Sequence, residues 1–89
     1  MPTATVLGQN YPNPFNPTTT IPLTLFQRAS VRLRVFNGLG QAVTTLLDGE
    51  MSAGTYAIPW NAAGCASGPY YFRLDMPGFT ATKQTMLLR

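Results

Sequence analysis

Apolar and polar residues alternate along much of this chain, and the alternation predicts β-strands. Two successive segments show it most clearly, with apolar residues at every second position: Ile21, Leu23 and Leu25, then Val31, Leu33 and Val35. A strand turns alternate side chains to opposite faces, so a period of two places one face in a core and the other in solvent. We therefore expect half-buried strands in both segments.

Glycine and asparagine mark the turns between the strands. Asn37-Gly38-Leu39-Gly40 contains residues that accept positive φ, so it predicts a hairpin between strands at 31–36 and 41–47. Asp48-Gly49-Glu50 is expected to end the second of these strands in an exposed turn.

The second half of the chain continues the alternation with aromatic residues. The inward positions are expected to be Tyr56, Ile58 and Trp60 in one strand and Tyr70, Phe72 and Leu74 in the next. Pro59 cannot donate a backbone hydrogen bond, so it either places its strand at a sheet edge or marks the end of the strand. A small-residue loop at 61–67 and a last strand at 79–88 complete the series.

No stretch of twelve residues has the period of a helix, and the predicted strands recur about every ten residues. This pattern predicts an all-β fold, an immunoglobulin-like antiparallel β-sandwich of about seven strands with Greek-key connections. The 89 residues suffice for one domain. We expect the domain to span residues 7–89 and to be cut from the end of a larger protein. Residues 1–6 are expected to be a linker that starts with an added initiator methionine.

Composition narrows the chemistry that the chain can perform. Only 10% of the residues are charged, and without histidine no side chain is suited to act as a general base near neutral pH. A chain of this size buries only about 60 to 65% of its unfolded surface, which leaves little room for an enclosed active site. We expect no enzyme activity, no cofactor and no metal site. Cys65, the single cysteine, is expected to be a partly buried thiol.

Basic side chains allow a second interpretation. Arg32 and Arg34 share one strand face, and Arg73 and Lys83 join them if their strands lie in the same sheet. Such a stripe could bind the phosphates of lipopolysaccharide or of nucleic acid, although a solvated outer face is the simpler interpretation. Nucleic acid is disfavoured because the aromatic residues of the later strands are expected to face the core.

Two outward aromatic residues and two acids suggest further alternatives. Tyr71 and Phe36 could stack on a sugar ring, as in an accessory carbohydrate- or protein-binding module of a multidomain extracellular enzyme. Acids that grasp sugars are nearly absent, which argues against this function. Asp48 and Glu50 could form a carboxylate pair, but we favour ordinary solvated turn acids.

Residues 7–18 contain three prolines and three asparagines, which favour turns over regular ladders. We expect an ordered loop or a broken edge strand here. Tyr11 and Phe15 are expected to cover the open end of the sandwich, while asparagine side chains satisfy the loop backbone.

The order of residues in this segment resembles a known family. Asn10-Tyr11-Pro12-Asn13-Pro14-Phe15-Asn16-Pro17 is similar to the opening of C-terminal sorting domains of the type IX (Por) secretion system of Bacteroidetes. The resemblance continues to the last residue through these segments: Gly40-Gln41-Ala42-Val43, Gly54-Thr55-Tyr56, Gly68-Pro69-Tyr70, Lys83, Met86-Leu87-Leu88 and Arg89. The pattern also resembles the immunoglobulin-like domain of flagellar hook-capping proteins.

The resemblance implies a sorting signal that has no catalytic chemistry of its own. It would direct a larger cargo protein through the type IX translocon to the outer-membrane surface or the extracellular space, where a sortase removes it and anchors the cargo to lipopolysaccharide. Recognition is expected at loops and strand edges, where a partner can add a strand. The residues expected to take part are Gly54, Tyr56, Gly68, Tyr70, Lys83 and Arg89. A charge-poor edge also predicts homodimers or domain swapping.

Overall fold

The computed structural model describes residues 4–88 and contains seven β-strands. They are Val6–Leu7 (β1), Thr18–Leu25 (β2), Ala29–Asn37 (β3), Ala42–Met51 (β4), Gly54–Asn61 (β5), Gly68–Met76 (β6) and Phe79–Leu87 (β7). Within this range there is no helix, and so no helix that is long and apolar enough to cross a membrane.

The strands form two antiparallel sheets. One has the order β1-β2-β5 and the other the order β4-β3-β6-β7. The chain passes between the sheets after β2, β4 and β5, which is the Greek-key course of immunoglobulin-like sandwiches. The predicted fold is therefore confirmed. The edge position, one of the two alternatives expected from Pro59, is also confirmed, because β5 borders only β2.

The core lies between the two sheets and is built from the alternating positions. Its buried apolar residues are Leu7, Phe15, Ile21, Leu23, Leu25, Val31, Leu33, Val35, Trp60, Ala62, Tyr70, Phe72, Leu74 and Leu87. The Trp60 ring lies 5.5 Å from that of Tyr70 and 6.0 Å from that of Phe72, both edge to face. Such pairs add stabilisation beyond the apolar area that they bury.

The strand that was expected to stop at Asp48 continues to Met51, so the predicted turn at Asp48-Gly49-Glu50 is wrong. Asp48 lies opposite Arg32 and Glu50 lies opposite Ser30 in the β3–β4 ladder. The ladder gives this polar stretch backbone partners, which outweighs its turn-forming composition. Glu50 also accepts a hydrogen bond from Arg28 Nε at 2.8 Å, so it is an ion-paired strand residue.

The two ends of the sandwich differ in charge. The charged end comprises residues 4–5, 26–28, 52–53 and 77–78. The charge-free end comprises residues 9–17, 38–41, 62–67 and 87–88. Within the described range, every charged residue lies at the charged end, in the adjacent parts of the strands or in the middle of the sheet. These residues are Arg28, Arg32, Arg34, Asp48, Glu50, Arg73, Asp75 and Lys83.

Candidate recognition site

Residues 9–17, which we call the strap, connect β1 to β2 and reach the end of β7. Phe15 forms a parallel bridge with Leu87. The Phe15 backbone N–H donates to the Met86 carbonyl at 3.1 Å, and the Leu88 N–H donates to the Phe15 carbonyl at 3.0 Å. The strap therefore acts as a short extra strand on the outer edge of β7, where the backbone would otherwise be unpaired.

Strap side chains extend these contacts. Gln9 Nε2 donates to the Gln84 carbonyl at 2.8 Å. Asn13 Oδ1 accepts from the Thr85 hydroxyl at 3.1 Å and from the Met86 N–H at 3.3 Å. These pairs are separated by more than 70 positions in the chain. No sequence pattern signalled them, because each residue is an ordinary polar loop or strand residue when considered alone.

Asn10 organises the strap from inside. Its side chain is buried and its Nδ2 donates to the Pro12 carbonyl at 3.0 Å and to Thr19 Oγ1 at 2.9 Å. Thr19 Oγ1 donates to the same Pro12 carbonyl at 3.0 Å. The expectation that asparagines satisfy the loop backbone is confirmed at this position.

The two aromatic residues of the strap have opposite environments. Phe15 is buried, with its ring 5.3 Å from the Trp60 ring, so it covers the open end as expected. Tyr11 is 55% exposed, so the same expectation is wrong for it. Its backbone pairs with Thr20 in an isolated bridge, with N···O distances of 2.9 Å in both directions. That bridge holds the Tyr11 backbone while its ring remains in solvent.

Four of the predicted recognition residues form two copies of one local arrangement. Gly54 has φ +151° and precedes Tyr56, whose hydroxyl donates to the Ser52 carbonyl at 2.7 Å. Gly68 has φ +147° and precedes Tyr70 in the same way. The Tyr70 hydroxyl donates to the Ala66 carbonyl at 2.7 Å. We call each copy a Gly-x-Tyr corner; the second resembles the tyrosine corner of immunoglobulin-like sandwiches.

The structure does not bring these four residues together. Gly54 and Tyr56 start β5 at the charged end, whereas Gly68 and Tyr70 start β6 at the charge-free end. Each residue has a structural task, because glycine permits the positive φ and tyrosine closes the corner. Their role in translocon recognition stays a prediction.

Lys83 lies opposite Phe72 in the β6–β7 ladder and is exposed. Residues directly opposite each other share a face, so Lys83 is on the inner side of β7, and its expected place in a stripe with the arginines is wrong. Arg73 lies opposite Thr82, one position away. An inward-facing charge on an edge strand disfavours pairing with another sheet. Arg89, the last predicted recognition residue, lies outside the described residues.

The arginines on the outer face of the larger sheet are partly neutralised. Asp75 Oδ2 accepts from Arg34 Nη2 at 2.8 Å, and Asp75 Oδ1 accepts from Arg73 Nε at 3.0 Å. The hydrogen bond from Arg34 is the main cause that lowers the pKa of Asp75, and Arg73 lowers it further against the opposing effect of burial. The result is an ion-paired outer face.

The outer face also lacks a bare aromatic platform at the positions expected for sugar stacking. The Arg34 guanidinium lies 5.1 Å from the centre of the Phe36 ring. Phe36 pairs with Tyr71 across the ladder, and both residues are half-buried. Sugar stacking needs an exposed ring face, so this arrangement does not favour the carbohydrate-binding alternative.

The described surface offers shallow hollows. One of them, about 500 Å³, lies at the charged end between Thr5, Phe26 and Phe79. Arg28 is the charged residue in its lining, and no nucleophile with an adjacent base is present there. Within residues 4–88 no three His, Cys, Asp or Glu side chains are grouped to hold a metal ion. The geometry supports contact with a partner more than chemistry on a small molecule.

Comparison with known proteins identifies the family of the chain. No curated protein and no solved structure matches the chain. The family model of the secretion system C-terminal sorting domain matches residues 9–87, which runs from the first residue of the strap to the end of β7. The chain therefore belongs to the family of secretion system C-terminal sorting domains, the non-catalytic signals of type IX secretion that interact with the secretion machinery and lead to the cell surface or the extracellular space.

Proposed function

We propose that this domain carries a larger cargo protein, which precedes it in the chain, through the type IX translocon to the cell surface. There a surface sortase removes the domain and attaches the cargo to lipopolysaccharide. The family match over residues 9–87 is the observation that supports this function.

The contacts between the strap and β7 suggest how the sorting signal is built. The strap begins the matched region and β7 ends it, and the strap is joined to residues 84–88 by two backbone and three side-chain hydrogen bonds. We infer that the translocon recognises the folded end of β7, held in place by the strap, rather than an extended tail. In this scheme Asn13 is a positioning residue and Lys83 and Arg89 are candidates for direct contact.

A reporter assay tests the proposal. The whole chain is fused behind a signal peptide and a reporter, and surface reporter is measured in a bacterium with a type IX system and in a strain without the translocon. We expect surface reporter only in the first strain. Retention of the intact fusion in the periplasm of both strains would contradict the proposal.

The structure also indicates which tail variants are informative. Deletion of residues 83–89 removes the buried residues Thr85 and Leu87, so it would unfold the domain and confuse folding with recognition. Deletion of Arg89 alone leaves the core and the hydrogen bond from the Leu88 N–H to the strap in place, so it tests the last residue by itself. We expect this shorter deletion and Lys83→Ala to reduce surface reporter while the thermal midpoint of the purified domain stays unchanged.

Asn13→Ala tests the positioning role, with Asn16→Ala as the matched control in the same strap. Asn16 is exposed, and no side-chain hydrogen bond to the end of β7 involves it. We expect Asn13→Ala to increase hydrogen exchange at the Met86 amide and to reduce export. Equal export of the two variants, despite faster exchange in Asn13→Ala, would show that the strap does not position the signal.

A further inference from the structure

The hairpin tip at the charge-free end presents an unusually exposed apolar side chain on a rigid support. Leu39 is 85% exposed, the largest value among the exposed large apolar residues of the described range. Asn37 Oδ1 accepts from the Leu39 N–H at 2.9 Å and from the Gln41 N–H at 3.0 Å. The Gly40 N–H donates to the Asn37 carbonyl at 3.0 Å. The tip is therefore ordered in advance, which lowers the entropy cost of binding through it.

A hollow lies directly beside this side chain. It has a volume of about 360 Å³, is open to solvent, and is lined in part by Leu39, Ala66 and Pro69. The tip lies close to the opposite wall of the hollow, since both Gly38 and Pro69 line it and a Cβ added at Gly38 would approach Pro69 Cγ to 3.2 Å. A projecting apolar side chain next to an apolar hollow can interlock with a partner that has the reverse arrangement.

The surroundings of the tip are depleted of charge relative to the rest of the chain. Charged residues make up 10% of the whole sequence. Residues 35–47 and 51–72, which supply the tip and the hollow, contain no Asp, Glu, Lys or Arg. A single exposed leucine would need no explanation. The combination of a rigid tip, an adjacent hollow and no charge is the pattern found at the centre of protein interfaces.

We propose that Leu39 and the hollow beside it dock this domain onto an uncharged, apolar site on a protein of the secretion machinery. This inference rests on the proposed export function and specifies a surface for it. A protein fits better than a lipid bilayer for two reasons. First, the hollow is a concave site that a protein side chain can fill, whereas fluid lipid tails need no such site. Second, residues 35–47 and 51–72 contain no Lys or Arg that could contact anionic headgroups.

Charge substitutions at the tip test the proposal. Leu39→Glu and Leu39→Lys are compared with Phe26→Glu, which places a charge on another exposed apolar residue at the charged end. Both Leu39 variants are expected to lower surface reporter by about tenfold or more, and Phe26→Glu by less than about twofold, as for a residue outside an interface centre. Thermal midpoints of the three purified domains are expected to agree, because neither side chain is in the core.

The two signs of charge separate the possible partners. Loss of export with Glu and with Lys indicates an uncharged site that cannot solvate either ion. Loss with one sign only would overturn the proposal, because the partner surface would then carry charge. Normal export of both Leu39 variants would also overturn it, while leaving the export function intact. Failure of the unaltered fusion to reach the surface would overturn both.

Photocrosslinking identifies the occupant directly. Benzoylphenylalanine is placed at position 39 or at position 26 in the exported fusion, and adducts are identified by mass spectrometry. We expect an adduct with a translocon protein from position 39 and none from position 26. Adducts of position 39 with lipid or with a second copy of this chain, or no adduct while export continues, would each overturn the proposal.

Discussion

The two Gly-x-Tyr corners are alike in local geometry and different in surroundings. In both, a glycine with φ near +150° stands two positions before a tyrosine whose hydroxyl reaches back four positions to a carbonyl. Tyr70 is only 6% exposed and its ring packs on Trp60 in the core. Tyr56 is half-buried at the edge of the smaller sheet. The same short pattern therefore forms a core element at one end and a peripheral element at the other.

The contrast extends to the two ends of the sandwich. The charge-free end is held by the strap, the buried Phe15 ring and the hydrogen bonds to β7. The charged end has short turns and an ion pair between Arg28 and Glu50 that is largely exposed. Surface ion pairs contribute little to stability, whereas buried aromatic rings contribute much. We therefore expect the charge-free end to contribute more to the free energy of unfolding than the charged end.

Truncation of one phenylalanine at each end should give the largest difference. Phe15→Ala removes a buried ring and is expected to lower the free energy of unfolding by about 3 to 5 kcal/mol. Phe26 is 39% exposed, so Phe26→Ala should cost less than about 1 kcal/mol. Urea denaturation of both variants measures the two costs. Similar values would show that the strap is not part of the cooperative core.

Alanine in place of either corner glycine should cost about the same at both ends. Nothing lies within 4 Å of a Cβ added at Gly54 or Gly68, so the cost comes from the positive φ. Such strain is of order 1 to 3 kcal/mol per residue. Chemical synthesis with D-alanine at each position supplies the control, because a D-residue favours positive φ. Destabilisation by D-alanine equal to that by L-alanine would refute the backbone explanation.

Removal of the tyrosine hydroxyls should again lower the free energy of unfolding by different amounts at the two corners, and by less than the preceding substitutions. Tyr70→Phe leaves the Ala66 carbonyl without this donor beside the core and is expected to cost about 1 to 2 kcal/mol. Tyr56→Phe should cost about 0.5 kcal/mol, because water can replace the donor at the exposed Ser52. Thermal unfolding of both variants checks the order. A larger cost for Tyr56→Phe would reverse our ranking of the two ends.

Acid should give the smallest effect and should act at the charged end. The pKa of Asp75 is lowered from 3.8 by Arg34 and Arg73, so its ionised form is favoured in the folded state. The resulting stabilisation is present above the unfolded pKa and is lost as the pH falls through the folded pKa, that is, below 3.8. We expect the loss to be under about 1 kcal/mol, since the pair is solvated.

Hydrogen exchange near pH 3 locates this effect. Amides around Asp75 should exchange faster, whereas the Met86 amide should keep its protection, because no carboxylate occurs in the strap or in residues 84–88. Asp75→Asn serves as the control. Its free energy of unfolding should depend less on pH in this range, and at neutral pH it should be slightly lower than that of the unaltered chain. Faster exchange at Met86 alone would contradict the assignment to Asp75.

Much of the fold was predictable because period-two alternation reports which face of a strand is buried. The inward residues of β2, β3 and β6 were assigned correctly for this reason. Asp48 and Glu50 were assigned wrongly because turn composition is a local signal and the β3–β4 ladder is a tertiary one. Lys83 was placed on the wrong face because its register with β6 depends on the turn at Pro77-Gly78.

The sequence by itself determined the inward faces of β2, β3 and β6 and the family, since each depends on residues close together in the chain or on their order. Only the tertiary structure decided that the strap joins the end of β7, that Leu39 projects beside a hollow, and that the charged residues among residues 4–88 lie at one end and in mid-sheet. These features depend on contacts between residues up to 75 positions apart. Such contacts form only when burial of the core brings the strands into register.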